Sequence, residues 1–170
     1  MPFTPVHFGL GALPGGHTSK WFSFRTFCFA NVAIDVEALI RIPFGLYPIH
    51  DWMHTFLLGT LVPIALLFPI GRPFCLWVSR MWNRLAKDTR YDRIRIPERI
   101  DAIPALVGVL LGSLSHVFLD AIMHPDMQPF RPFSDGNPFL DGVSIGVLHA
   151  GLFGAGLVGA LLYWLRLKRS

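Results

Sequence analysis

The sequence predicts an all-α membrane protein with about four transmembrane helices plus a short N-terminal helix. Three observations support this fold class. Of the 170 residues, 52% are hydrophobic and only 15% are charged, whereas a soluble domain is usually about 25% charged. The mean hydropathy is +0.48. Several apolar runs are also long enough to cross a hydrocarbon layer of about 30 Å at about 1.5 Å per residue.

The apolar runs predict a single helical membrane domain over residues 1–170 with four spans. These are residues 21–42, 52–70, 102–123 and 143–165. The first span is the least apolar, because Arg25, Asp35 and Glu37 interrupt it. The segment from Phe3 to Gly16 is too short to span and lacks the basic start and long apolar stretch of a cleaved signal peptide. We expect it to form a short buried or re-entrant helix.

The positions of Lys and Arg predict the orientation in the membrane. Residues 71–100 hold eight of the fifteen basic residues, and the tail adds Arg166, Lys168 and Arg169. Because basic loops stay in the cytoplasm, we expect a cytoplasmic loop at 71–100 and a cytoplasmic C-terminus. The net charge of +4 is then a signal of topology and of contact with membrane lipid, and no nucleic-acid partner is expected.

The segment from Ser115 to Asp126 predicts a metal site. It places His116, Asp120 and His124 four residues apart, so that a helix would carry them on one face. Imidazole and carboxylate groups are ligands for Zn²⁺ and Mn²⁺, and they are costly in an apolar helix unless they are paired or functional. The alternative is a hydrogen-bonded pair in the core. Because the residue before a proline disfavours helix, His124 is expected to approach from a loop.

His50 and His54 form a second pair four residues apart. Two such imidazoles can chelate one ion if the segment is helical. The alternative is that they are interfacial histidines beside Trp52, where amphipathic rings often lie.

Asp35 and Glu37 lie in the first predicted span, two residues apart. A straight helix would point them in different directions, so joint use requires a helix end or a bridging arrangement. The alternative is an ion pair with Arg41. His7 is a lone histidine near a plausible helix start and is therefore a weaker candidate, and His17 is interpreted as a loop residue.

Four motifs in order, VHFGLG, IDVE, HDWMHTFLLG and GSLSHVFLDAIMHP, resemble those of bacterial inner-membrane proteins described as metal-dependent hydrolases, also as LexA-binding, inner membrane-associated hydrolases. The resemblance covers about Phe3 to Phe133. The second motif departs from Pro-Asp-x-Asp, and the third is one residue shorter and lacks its Arg. On that likeness the ligand positions are His7, Asp35, Glu37, His54, His116 and Asp120, with His50 at the leading histidine of the third motif.

The resemblance implies a multi-pass protein of the bacterial inner membrane that holds one or two divalent ions, Zn²⁺ first and Mn²⁺ second. It also implies hydrolysis of a phosphoester, because that family is distantly similar to zinc phospholipase C and to P1-type nucleases. The expected reaction uses a metal-activated water, with Asp51 or Asp126 as proton carrier. A lipid headgroup or a lipid-linked phosphate at the non-cytoplasmic face is the expected substrate, with Arg131 of the outer loop available to an anion.

Two other classes of function stay open. A metal-ion or proton transporter would also need intramembrane His and Asp, but with polar residues through the inner half of the membrane as well. A haem-binding membrane helix bundle would use two facing histidines, such as His54 and His116, and would leave the acidic residues unexplained.

Overall fold

The structure, a computed structural model, describes residues 5–13 and 20–167. Within these ranges every regular element is helical and no strand occurs, which confirms the all-α prediction. His17, Lys168 and Arg169 lie outside the described residues. Five helices follow one another in the described ranges: α1 (Phe8–Ala12), α2 (Phe24–Arg41), α3 (Leu58–Ala86), α4 (Ala102–Met123) and α5 (Ile145–Leu167). Short 3-10 turns lie at Pro5–His7, Trp52–His54 and Asp92–Ile94.

Three of these helices are long and apolar enough to cross a membrane, namely α3, α4 and α5. The prediction of four spans is therefore supported only in part. The segment predicted at 21–42 forms α2, which carries Arg25, Asp35, Glu37 and Arg41 within its 18 residues. That charge density is too high for a spanning helix by composition. The helix instead brings buried polar side chains into the interior of the bundle.

Helix α3 extends beyond the predicted boundary at Ile70. It continues to Ala86 through a π-helical segment at Leu67–Gly71, so the first half of the expected 71–100 loop is helical. The π-helical segment contains a proline, which lacks the backbone N–H that an α-helix uses. The π turn accommodates the missing hydrogen bond. Buried residues at helical spacing, Cys75, Ser79, Asn83 and Ala86, hold the second half of α3 against the bundle.

Helices α2 and α4 pack closely because small residues line α4 at the contact. A Cβ atom on Gly108 would collide with the backbone oxygen of Ser23, and one on Gly112 would collide with the backbone oxygen of Phe27. Thr26 Oγ1 donates a hydrogen bond to the backbone oxygen of Ala105 at 3.0 Å. Small residues permit such close backbone approach in membrane bundles. The contact brings the C-terminal half of α2 beside the C-terminal half of α4.

The predicted short N-terminal helix is present as α1, which lies against α5. A Cβ atom on Gly9 would meet the backbone oxygen of Leu152, and one on Gly159 would meet Ala12. The preceding 3-10 turn ends at His7, which is buried. Packing of α1 on the bundle therefore carries a histidine into the interior.

The segment between α4 and α5 folds over the C-terminal end of α4. Asn137 Nδ2 donates to the backbone oxygen of Ala121 at 2.8 Å, and the backbone N–H of Asp141 donates to Ile122 at 3.1 Å. The backbone N–H of Phe56 donates to Pro129. These contacts make the segment a structured cap over that end of α4.

Candidate metal centre

Two helices and one turn bring four ligand-type side chains to one buried point. Asp35 comes from α2, His54 from the turn at Trp52–His54, and His116 and Asp120 from α4. All four are buried, and one ligand atom from each lies within 4.8 Å of the others. We call this set the deep group. The predicted convergence of His54, His116 and Asp120 is present, with the two imidazole rings 5.6 Å apart between centroids.

The distances within the deep group match a tetrahedral ion site. His116 Nε2 lies 3.1 Å from Asp120 Oδ2 and 3.4 Å from Asp35 Oδ1. His54 Nε2 lies 3.8 Å from each of the same two oxygens. Ligands bound at about 2.0–2.1 Å to one tetrahedral Zn²⁺ are about 3.3–3.4 Å apart. The four nitrogen–oxygen separations bracket that value.

The histidine nitrogens that face the centre make no hydrogen bonds. In the described part of the chain, the Nε2 atoms of His7, His54 and His116 are buried and have no hydrogen-bond partner. These nitrogens lie close to carboxylate oxygens, but the ring N–H directions are not aligned with those oxygens for a hydrogen bond. A buried polar atom without a partner is costly, and a cation placed between the nitrogens and the oxygens would remove that cost.

The opposite ring nitrogens are held by outer partners. Asn31 Nδ2 donates to the backbone oxygen of Phe27 at 2.8 Å, which directs Asn31 Oδ1 towards His116. His116 Nδ1 therefore donates to Asn31 Oδ1 at 3.0 Å, and the lone pair of the ring lies on Nε2. His54 Nδ1 lies 3.1 Å from Glu37 Oε2. Metal-binding histidines are usually held in this way by their second nitrogen.

Glu37 has a different place from the one predicted. Its Oε2 accepts hydrogen bonds from the backbone N–H groups of Asp51 and Met53, at 3.1 and 3.0 Å, as well as contacting His54. It therefore fixes the turn that carries His54, and it is not part of the deep group. Glu37 was expected to be a metal ligand. In the structure it is instead a hydrogen-bond partner of the ligand His54.

A second group of ligand-type residues lies beside the deep group. His50, Asp120 and His124 offer ligand atoms within 4.8 Å of one another. We call this set the outer group, and Asp120 belongs to both. The rings of His50 and His124 stack with centroids 4.1 Å apart. Helix α4 ends at Met123 and His124 has extended backbone angles, in agreement with the expected approach from beyond the helix.

Asp126 supports the outer group. Its Oδ1 lies 3.0 Å from His50 Nδ1, and its Oδ2 accepts the backbone N–H groups of Ile49 and His50. Burial, and to a smaller extent the neighbouring His54, lowers the pKa of His50. Burial, and to a smaller extent the neighbouring His50, lowers the pKa of His124 to about 4. Both imidazoles are therefore neutral at pH 7, which is the form that binds metal.

Chelation of one ion by His50 and His54 as a pair depended on an α-helical segment, and the structure gives a 3-10 turn there. The two rings meet edge to face at 4.7 Å, and each belongs to a different group. The segment that carries them forms a 3-10 turn at Trp52–His54, so the α-helical spacing does not apply. His7 also belongs to neither group, although its Nε2 lies 3.5 Å from Asp120 Oδ1.

Asp51 lies between two guanidinium groups. It pairs with Arg41 at 3.0 Å and with Arg131 at 3.2 Å, and Arg131 also pairs with Asp135. Arg131 is therefore already paired with two carboxylates and is not free to bind an anion as expected. Arg41 pairs with Asp51, and not with Asp35 or Glu37 as the alternative interpretation of those two acids required. The described contacts give the Asp51 and Asp126 carboxylates structural partners and do not test proton transfer. The expected role of either residue as proton carrier therefore stays a prediction.

Asn31 is the site residue that the sequence interpretation missed. It lies four residues before Asp35 on α2, the spacing that places two side chains on one helix face. That spacing was the available signal, because a buried amide in an apolar helix requires a hydrogen-bond partner.

The comparisons with known proteins give a family and no function. No curated protein and no solved structure matches the chain. The family match carries no link to a named hydrolase family, so the resemblance described above supports a proposal only. The matched residues 1–134 include every member of the deep and outer groups. On this match, the chain belongs to the DUF4184 family, described as a domain of unknown function.

Proposed function

We propose that this protein is a membrane-embedded, metal-dependent hydrolase that acts on a phosphoester, with its cation held by the deep group of Asp35, His54, His116 and Asp120. The observation that carries the proposal is the arrangement of two unpartnered Nε2 atoms and two carboxylate oxygens at tetrahedral separations. Two nitrogen and two oxygen ligands in that geometry favour Zn²⁺, whereas Mn²⁺ is usually held in an octahedral set of oxygen ligands.

A divalent cation supplies the chemistry that this reaction needs. It lowers the pKa of water from about 15.7 to about 7 and polarises a phosphoryl oxygen. The protein's own residues supply orientation: Asn31 holds His116, and Glu37 holds His54. The deep group is buried, whereas His124 of the neighbouring outer group is 17% exposed at its side chain.

The surroundings of the site favour a lipid-linked substrate. Exposed apolar residues lie in the loop that precedes the site, with Phe44 at 75% and Tyr47 at 78% relative exposure, and Trp52 is nearby. Aromatic residues of this kind lie at the membrane–water interface. In the orientation expected from the basic residues, that interface is on the non-cytoplasmic side of a bacterial inner membrane.

The two alternative functions have less support. The Asp35 and Asp120 oxygens lie within 3.8 Å of both facing nitrogens, so two carboxylates stand where a porphyrin bound between His54 and His116 would lie. A transporter would need titratable groups along its path. In the described part of α2 and α4, every His, Asp and Glu lies in the C-terminal half.

The test is hydrolysis by purified protein in detergent. The probes are bis-p-nitrophenyl phosphate and a phospholipid in mixed micelles, each assayed before chelation, after chelation and after Zn²⁺ or Mn²⁺ is restored. We expect chelator-sensitive activity that the metal restores and that Asp120→Asn abolishes. The matched control is His149→Ala, because His149 is half-buried and belongs to neither group. Activity that survives both chelation and Asp120→Asn would overturn the proposal.

A further inference from the structure

We propose that Asp120 bridges two cations, the deep one and a second one that His50 and His124 hold nearer the surface. This inference rests on the proposed function for the deep cation and adds a second binding site to it. The second site is the outer group, and Asp120 is the residue that the two groups share.

The two oxygens of Asp120 face different histidines. Oδ2 faces His116 Nε2 at 3.1 Å and His54 Nε2 at 3.8 Å. Oδ1 faces His124 Nε2 at 4.0 Å and His7 Nε2 at 3.5 Å. A carboxylate that binds one ion uses one oxygen, or both oxygens on the same ion. Here each oxygen is directed to a separate set of nitrogens, which is the arrangement of a bridging carboxylate between metals about 3.5–4 Å apart.

The outer group has its own supporting partner. His50 Nδ1 contacts the carboxylate of Asp126, so its other ring nitrogen is available to a metal. This is the same outer contact that Glu37 makes with His54 in the deep group, and such contacts orient metal-binding histidines. Asp126 Oδ2 also accepts hydrogen bonds from the backbone N–H groups of Ile49 and His50, which orient the carboxylate.

The two groups differ in completeness and in access. The deep group offers four protein ligands, which is the number in a closed tetrahedral site, whereas the outer group offers three. Catalytic zinc sites keep a position open for water or substrate. His50 and His124 of the outer group also line an open pocket of about 200 Å³ together with Ile42, Tyr47 and Asp126. We infer that a phosphate oxygen reaches the outer cation, and that the deep cation, which has four protein ligands, would take the attacking water as a fifth ligand.

The experiment is a titration of the full-length, tag-free protein in detergent with Zn²⁺ alone, after chelation and buffer exchange. Bound metal is counted by elemental analysis of the monodisperse size-exclusion peak. We expect two ions per chain in the unaltered protein and in the His149→Ala control. We expect one ion in the His50→Ala, His124→Ala double variant, and loss of both in a variant that combines His54→Ala with Asp120→Ala.

The outcomes separate the two proposals. One ion in the unaltered protein, unchanged in the double variant, would overturn the outer site and leave the deep site standing. No retained ion would overturn both. If the double variant does not fold, Asp126→Asn replaces it, because Asp126 is not a member of either group. That variant is expected to weaken one of the two Zn²⁺ affinities by about 10–100-fold. Two unchanged affinities would contradict the bridge.

Discussion

His116 Nε2 and Asp120 Oδ2 lie 3.1 Å apart, one turn of α4 from each other, without forming a hydrogen bond. An imidazole that is paired only with a carboxylate would align its N–H with the oxygen. Here the N–H lies on the other side of the ring, where Nδ1 donates to Asn31. The pair is therefore arranged as two ligands of a common ion, and the predictions below follow from that arrangement.

The outer partners should control metal affinity. Asn31→Ala removes the partner of His116 Nδ1, and Glu37→Gln removes the negative charge from the partner of His54 Nδ1. Both leave the ligand atoms of the deep group in place. We expect each to lower the affinity for Zn²⁺ by about 10–100-fold while the number of ions at saturation stays the same. Competition with a chromophoric chelator measures the affinity. An unchanged affinity in both variants would mean that the two contacts are only structural.

The metal should stabilise the fold. An ion that binds only the folded state adds about 4 kcal/mol to the free energy of unfolding at a thousandfold excess over its Kd. We expect chelation to lower the thermal midpoint of the protein in detergent, and His116→Ala to remove the difference between the two conditions. Differential scanning fluorimetry with and without chelator checks this. An equal shift in His116→Ala would show that the chelator acts elsewhere.

Close packing of α2 on α4 should be required for the site. Gly108→Ala places a methyl group against the backbone oxygen of Ser23, whereas Gly154→Ala on α5 meets no described atom within 4 Å. We expect Gly108→Ala to destabilise the protein by about 1–3 kcal/mol and to weaken Zn²⁺ binding, because Asp35 would shift relative to His116. The matched Gly154→Ala variant should leave Zn²⁺ binding unchanged and should not lower the thermal midpoint, because Ala favours a helix more than Gly does. Thermal midpoints and metal titrations compare the two.

The orientation in the membrane can be tested independently of the metal. Lys and Arg are concentrated in residues 71–100 and in the tail, and such segments stay in the cytoplasm. A reporter that is active only in the cytoplasm, fused after Leu165, is therefore expected to be active. Its periplasm-specific counterpart should be inactive. The reverse result would place the candidate centre on the cytoplasmic side.

Local spacing was sufficient to predict part of the site. His116 and Asp120 are four residues apart in an apolar run, and the structure places them on one face of α4 as expected. His124 was expected beyond the helix end, and it lies there, because Pro125 follows it. These features depend on the geometry of one helix, so the sequence alone contains them.

Other features depend on how distant segments meet. The contact of Asn31 with His116 requires α2 to cross α4 at Gly108 and Gly112, and no local pattern specifies that crossing. The separation of His50 from His54 into two groups depends on the 3-10 turn at Trp52–His54. The span predicted at 21–42 is not among the three supported spans for a different reason: α2 carries four charged residues, and one of them, Asp35, is buried in the bundle.

X-ray absorption at the zinc edge of purified protein, unaltered and with His116→Ala, tests the central claim most directly. The deep group predicts bound zinc with nitrogen and oxygen ligands at about 2.0–2.1 Å and with clear scattering from imidazole. The variant should lose metal or lose part of the imidazole scattering. A protein that retains no metal, or a His116→Ala variant with an unchanged metal content and spectrum, would contradict the account.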